Sequence, residues 1–400
     1  MVLESRWNSP LVPTLVAVPT ATLFVVLRWL VAAHRQLGRF VVAGSSYSSV
    51  AKVPKDVPVV PGPGYDGQFY YRLALDPFDL ARSGFGVSFD SFSRVERMGY
   101  PLLAWIVAGG QHEWVPLALV IVNVVACGVV GLAGGLLAQS AGRHAIWGLV
   151  FSGYWGYLWT LGRDLTELTA AAFVLLGLAA LERDAPIWSA LAFLCAVVSK
   201  ETSVLLVGAL VVATVLVRRT QLTSVTTDSE SSSSIGLGRG ASPRRSDLVL
   251  VIPLVGFVIW QLVLLHATGT LPIYKSGGEN LGVPFAGLFR GLGHYASLFP
   301  SVASALWFAE VGILIFVAVG AATSLRVAPI GLGALWVVSV LLACCASTGI
   351  WMGDVGFRSL DDAYLMSWLV LLYSRKPLWP WALISGGAWL VVFVELVRYI

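Results

Sequence analysis

The side chains best equipped for chemistry fall into a few short clusters. Asp66, Arg72 and Asp76 lie in the run YDGQFYYRLALD, directly after Pro61, Gly62, Pro63 and Gly64. Those four residues break regular structure, so Asp66 begins a new element. An aspartate just ahead of a helix can cap its backbone N–H groups. One held beside a hydroxyl can take its proton as a general base. The crowding of charge around Asp66 favours the second role. Further along stand Asp164 and Glu167 in GRDLTEL, Lys200 and Glu201, and the group Asp354, Arg358, Asp361 and Asp362. Segment 266–302 adds His266, Tyr274, Lys275, Glu279, Arg290, His294 and Tyr295. Singly, Arg163/Asp164, Lys200/Glu201 and Arg358/Asp361 read as local ion pairs that neutralise helix ends. Gathered on one face, they mark a site, because ionisable groups at membrane depth are costly and generally face a cavity.

The surroundings of these clusters are apolar. Of 400 residues, 57% are hydrophobic and 12% charged, 26 Lys+Arg against 22 Asp+Glu; mean hydropathy is +0.80. An ordinary soluble domain carries about 25% charge, so a soluble enzyme is excluded, and a disordered chain is excluded by the same figures. A net charge of +4 spread over such a chain is no nucleic-acid footprint. The four cysteines, with Cys344 and Cys345 adjacent, form neither a disulfide framework nor a zinc spacing. The expected fold is an all-α polytopic membrane protein. A crossing takes about 20 apolar residues, and about eleven spans are expected, over 12–33, 115–138, 144–161, 168–181, 187–199, 202–217, 248–266, 303–324, 328–348, 361–374 and 378–397. Several are short, as tilted or broken helices around a polar cavity would be. The first reads as an uncleaved anchor rather than a signal peptide.

Arg143, Arg183, Arg218, Arg219, Arg326, Arg375 and Lys376 occupy alternate short loops, which places those loops in the cytoplasm. The N-terminus is then inside and segment 34–114 outside, in a multi-pass protein of the cell membrane. Within 34–114, Gln68 to Ala81 is expected to form an amphipathic helix lying in the interface, and Tyr100 to Ala108 a short helix dipping in from the outer face. Residues 220–246, rich in Ser, Gly and Arg, are expected to be a flexible cytoplasmic linker. It separates an N-terminal block, 1–219, from a C-terminal block, 247–400. No internal repeat is apparent, which weighs against an inverted-repeat transporter. His266 and His294 read as interfacial side chains, GYWGYLW at 153–159 as part of an aromatic belt, and Gly131, Gly134 and Gly135 as close helix packing.

Asp66 in YDGQFYY, Arg97 followed by Tyr100-Pro101-Leu102-Leu103, and the acidic pair Asp164 and Glu167 together resemble the GT-C superfamily. These are polytopic glycosyltransferases that use sugars linked to lipid phosphate. The resemblance covers roughly residues 10–220. It implies transfer of a sugar from a polyprenyl-phosphate donor to an envelope glycan, lipid or protein on the outer face, with inversion and with Asp66 as base. Asp164 or Glu167 would orient sugar hydroxyls or support the base. Lys200 and Arg358 are the first candidates for the donor phosphate; Arg72, Lys275 and Arg290 follow, and Glu201 and Asp354 complete the expected substrate-binding set. A phosphate is already a good leaving group, so no dedicated general acid is required. Many members carry a second acidic residue beside the loop aspartate, where this chain has Gly67; the need for a divalent metal is left open. Two other functions are weighed against this one. A transporter or flippase for lipid or lipid-linked sugar predicts charges within spans, for which Glu310 is the main candidate, and an assembly subunit predicts no catalytic loop.

Overall fold

The computed structural model describes residues 8–225, 249–353 and 356–398. They are mostly helical, with almost no sheet. Strand pairing is confined to two-residue segments, Ala43–Gly44 with Val59–Val60 and Ser83–Gly84 with Val87–Ser88. In chain order the main helices are α1 (Leu11–Val31), α2 (Gly67–Leu75), α3 (Gly99–Val107), α4 (Val115–Ser140), α5 (Gly156–Gly162), α6 (Glu167–Glu182), α7 (Pro186–Ser199) and α8 (Ser203–Val225). After the gap come α9 (Ile252–Thr268), α10 (Pro272–Asn280), α11 (Ala286–Ser297), α12 (Val302–Ala322), α13 (Ile330–Cys344), α14 (Asp361–Tyr373) and α15 (Trp379–Arg398).

Among the described residues, five helical segments are long and apolar enough to cross a membrane: Leu11–Val31, His112–Ser140, Val249–Thr268, Val302–Ala322 and Trp379–Arg398. Pro186–Ser199, Ser203–Val217 and Ile330–Cys344 are apolar but shorter. The expected count of about eleven crossings is not reached by helices of full length among the described residues. The stretch 144–161 breaks into the short turns Ala145–Gly148 and Leu149–Ser152 followed by α5. Helix α14 has 13 residues, about 20 Å against a hydrocarbon core of about 30 Å. It is buried from Asp361 through Leu372, the behaviour of a helix that is apolar all round.

Glycines set the spacing around α4. A Cβ at Gly128 would lie 2.4 Å from the Val18 side chain, and one at Gly131 3.2 Å from the Pro13 carbonyl oxygen. The GLAGG run therefore brings α1 close to α4, the packing role its composition predicts.

The first loop departs from expectation. The helix beginning at Asp66 stops at Leu75, because Asp76 precedes Pro77 and is extended, with φ −148° and ψ 99°; a residue before proline avoids the helical region. Every residue of α2 is buried, so this is a core helix and not one lying in the interface. Phe69, Leu73 and Leu75 pack there with Val95, Tyr100, Leu119 and Leu165. Helix α3 lies close to the expected bounds and is pinned by Tyr100, whose hydroxyl donates to the Leu119 carbonyl at 3.0 Å.

The two blocks share one core. Phe24 on α1 meets Phe393 on α15 with ring centroids 5.4 Å apart, and the main apolar cluster draws on both sides of the linker. Helix α8 continues to Val225, into the stretch expected to be linker; 226–246 lie outside the described residues.

Candidate functional site

Helix ends and breaks deliver charged side chains to one cavity of about 510 Å³. Asp66 comes from the start of α2, Arg94 and Arg97 from the turn Ser93–Glu96 and its exit, and Glu167 from the first turn of α6. Lys200 and Glu201 sit between α7 and α8, Glu279 and Asn280 at the end of α10, and Arg358 in the turn Gly356–Leu360 ahead of α14. Leu281, Leu342, Ala343, Ala346 and Ile350 make the apolar side of the chamber.

Arg358 stands at the centre of this arrangement. Its Nη2 donates to Asp66 Oδ2 at 2.9 Å and its Nη1 to Glu167 Oε1 at 2.8 Å. The Asp66 oxygen also meets Arg94 Nη1 at 3.1 Å, while Arg94 grips Asp90 through a fork at 3.0 and 2.9 Å. Arg97 makes a second fork, onto Glu201 at 2.7 and 2.6 Å, and donates to the Tyr70 hydroxyl at 3.2 Å. Lys200 donates to Asp361 at 2.6 Å and to Asp362 at 2.9 Å, and the Thr202 hydroxyl reaches Asp362 at 3.3 Å. Buried charge is tolerated only when paired and hydrogen-bonded, and here the pairs form separate groups around the chamber, centred on Arg358, Arg97 and Lys200.

These partners correct the local reading of the charges. Lys200 does not pair with Glu201, nor Arg358 with Asp361; each instead reaches across the fold. Asp66 occupies the N-cap position of α2, yet its side chain makes no capping hydrogen bond. Its carboxylate is aimed at the arginines.

The electrostatic consequences follow from burial and partners together. Burial by itself would raise the Asp66 carboxyl, but Arg94, Arg358 and Arg97 hold it below the usual carboxylate range. Burial would likewise raise Glu201, and the Arg97 guanidinium overcomes it and holds that carboxyl down. Lys200 is raised above its ordinary value because Asp361 and Asp362 outweigh the burial that would lower it. Burial lifts the Tyr65 hydroxyl to about 12. Glu96 lies just behind the cavity, fully buried, accepting hydrogen bonds from the Ser276 hydroxyl at 2.6 Å and from Gln261. Burial first and the nearby Glu201 second push its carboxyl up to about 7.

Of the residues singled out in the sequence, Asp66, Glu167, Lys200, Glu201 and Arg358 line this cavity. Others are placed elsewhere. Arg72 donates to Asp79 at 3.3 Å and to the Ala81 carbonyl at 2.6 Å, over the Phe89 ring; it ties down the turn after α2. Asp164 is fully buried at φ +50°, and neither carboxyl oxygen has a hydrogen-bond partner among the described residues. Burial raises that carboxyl well above its ordinary range, opposed by the charge of Arg28. Lys275 and Arg290 are exposed, and Arg290 donates to the Thr348 hydroxyl at 3.3 Å. Asp354 lies outside the described residues.

The structure also brings in Asp90 and Arg94, which sequence reasoning passed over, together with Arg97, Arg163 and Glu279, which it named without assigning them a binding role. The dense run DSFSRVER at 90–97 was the available signal. Arg163 lies over the rings of Tyr65 and Trp159, at 4.8 and 4.9 Å, a cation–π arrangement that holds the guanidinium at the cavity edge.

Gly67 has a steric reason. A Cβ there would sit 2.4 Å from the Arg163 carbonyl oxygen and 2.8 Å from that of Val41. No side chain, acidic or otherwise, fits at position 67 without moving that backbone. Among the described residues, no group of three or more His, Cys, Asp or Glu side chains is placed to hold a metal ion.

Two further chambers adjoin the core. One of about 290 Å³ is almost wholly apolar, between α1 and α15, with Tyr157 and Tyr364 among its lining residues. The other, about 320 Å³, contains Glu310 and Glu395 and shares Arg163 and Gly353 with the charged cavity.

No protein-family model matches the chain, and no curated protein sequence matches it.

Proposed function

We propose that this chain is an integral membrane glycosyltransferase that takes a sugar from a polyprenyl-phosphate donor and passes it to a hydroxyl of an envelope glycan, lipid or protein. The observation that carries the reading is Arg358, held between Asp66 and Glu167 on the wall of a cavity that also presents Arg94, Arg97 and Lys200. Arginine forks suit phosphate oxygens as well as carboxylates. A donor phosphate entering the cavity therefore competes with Asp66 and Glu167 for Arg358 and Arg94. When the arginines turn to the phosphate, Asp66 loses the partners that hold its carboxyl low and becomes a stronger base. The acceptor oxygen then attacks the anomeric carbon. Its proton passes to Asp66, and the bond from that carbon to the phosphate oxygen breaks with inversion. The arginines stabilise the phosphate as its negative charge grows. Glu167, freed from Arg358, is placed to accept a hydrogen bond from a sugar hydroxyl.

In this proposal the protein spans the cell membrane many times, the N-terminus is cytoplasmic, and the charged cavity opens toward the outer face. The short helices α6 and α14, largely buried among longer ones, support a broken-helix architecture around a polar chamber.

The test is transfer from a labelled polyprenyl-phosphate sugar in proteoliposomes. Asp66→Asn should abolish transfer while the protein remains monodisperse; full activity in that variant would remove Asp66 as base. A transporter for lipid-linked sugar is the second reading, favoured by Glu310 and Glu395 in a chamber contiguous with the main one. Movement of the labelled lipid across the vesicle with no acceptor present, and no transfer when acceptors are supplied, would select it.

A further inference from the structure

We infer that α11 lies in the plane of the bilayer interface, with one apolar edge sunk among the lipid chains, and that it carries a wall of the charged cavity. The inference rests on the membrane reading but does not depend on glycosyl transfer. The helix divides cleanly around its circumference. Gly287, Gly291 and Tyr295 are buried against the protein. Phe285, Phe289 and Leu292, at helical spacing, are exposed by 46%, 65% and 44%. Arg290, Gly293, His294 and Ser297 form the remaining, solvent-facing arc. A helix with one packed, one exposed apolar and one polar arc fits the boundary between water, lipid and protein.

Its position in the chain identifies the occupant as lipid. Segment 269–301 leaves one helix of crossing length at Thr268 and enters the next at Val302, so it lies at the end of both. Along the chain the strip is followed by Phe299 and Val302, exposed by 68% and 75%, and the two helices that the segment joins, α9 and α12, themselves expose Ile259, Leu262, Ile315 and Val319. A strip on the segment that joins two such apolar faces at their ends is covered by the same material that covers them. Burial of a phenylalanine side chain away from water is favourable, so Phe285 and Phe289 together fix the depth of the helix.

The packed arc transmits that depth to the cavity. A Cβ at Gly287 would fall 2.5 Å from the Ala346 carbonyl oxygen, and one at Gly291 2.9 Å from the Trp307 ring and 3.2 Å from the Trp351 carbonyl oxygen. The Tyr295 hydroxyl donates to the Met352 carbonyl at 3.2 Å. Thus α11 rests directly on the short helix Thr348–Met352, and Gly349, Ile350 and Gly353 of that same segment line the cavity.

The experiment places an environment-sensitive fluorophore on a single cysteine, with Cys127, Cys195, Cys344 and Cys345 replaced, at Phe289→Cys, Gly293→Cys or Val319→Cys. The proteins are reconstituted in phosphatidylcholine–phosphatidylglycerol vesicles with and without brominated acyl chains. Val319, 56% exposed in the last turn of α12, at the end away from α11, reports on membrane insertion itself. The expected result is strong quenching by bromolipid at 289 and 319, and quenching by aqueous iodide at 293. Iodide access at 289 equal to that at 293, or shielding of 289 from both quenchers as beneath a protein partner, overturns the proposal while quenching at 319 leaves the membrane reading intact. Absence of lipid quenching at 319 would overturn both. Benzoylphenylalanine in place of Phe289, with all native cysteines kept, gives a second measurement: photo-adducts on lipid chains support the proposal, and adducts only on protein overturn it.

Discussion

Arg358 and Asp66 are 292 residues apart in sequence and 2.9 Å apart in space. That contact, with the one from Arg358 to Glu167, fastens the C-terminal block to the first loop. Arg358→Ala would leave two carboxylates without the cation they share. Breaking a buried pair from one side costs about 3–5 kcal/mol, so a marked fall in thermal stability is expected. Arg358→Lys keeps the charge but cannot span both carboxylates. Loss of one charge-assisted hydrogen bond, about 1.5–3 kcal/mol, predicts a roughly tenfold to hundredfold drop in transfer. Melting curves and initial rates for the two variants check these outcomes.

Lys200 is held by Asp361 and Asp362 at once. Lys200→Met should destabilise the protein by a few kcal/mol, and adding Asp361→Asn and Asp362→Asn should recover much of the loss. Because the folded-state pKa of Lys200 is raised above 10.5, its contribution is intact throughout the neutral range and is lost only as strongly alkaline pH is reached. A melting series from pH 6 to 9 in which the wild-type protein and Lys200→Met lose stability in parallel would agree; a Lys200-dependent loss near neutrality would not.

Glu96 gives the opposite pH signature to an ordinary paired carboxylate. Its carboxyl lies at 4.5 when unperturbed and is raised to about 7 in the fold. Between those values the folded state holds the extra proton, so the stability due to this group is greatest in acid and falls as pH rises through the window. Glu96→Gln should flatten the decline in melting temperature between pH 5 and pH 7. An unchanged slope would show that Glu96 is already ionised in the fold.

Asp164 separates backbone need from charge need. At φ +50° it occupies the left-handed region, where Asn is at ease and a β-branched residue is not. Asp164→Asn should keep both stability and transfer, whereas Asp164→Val should lose about 1–2 kcal/mol from the backbone alone. Glu167→Gln should keep stability better than transfer. Loss of transfer in Asp164→Asn with a normal melting curve would return Asp164 to the substrate site.

Apolar composition and the run of charged helix ends made the helical class legible, and they marked Asp66, Glu167, Lys200, Glu201 and Arg358 before any geometry was known. The pairings were not legible, for a local reason at each break. Lys200 ends α7 in an extended conformation, φ −153° and ψ 118°, so its side chain departs from the direction of Glu201 and the two neighbours take distant partners. Arg72 was misplaced because Pro77 cuts α2 short and folds Asp79 and Ala81 back onto it. Glu96 drew no notice because its partners, Gln261 and Ser276, lie 165 and 180 residues away. The burial of α2 was obscured by polar side chains such as Gln68, which is hydrogen-bonded inside the fold, and Arg72, whose Nη2 is held by the Ala81 carbonyl and Asp79.

The central claim is that the charged cavity receives a lipid phosphate beside the Asp66 carboxylate. A density map of the purified protein with a polyprenyl phosphate bound tests it most directly. Phosphate is expected within hydrogen-bond distance of Arg358 together with Arg94 or Lys200, with Asp66 released from at least one arginine. Phosphate bound away from these residues, with the contacts of Arg358 to Asp66 and Glu167 unchanged, would contradict it.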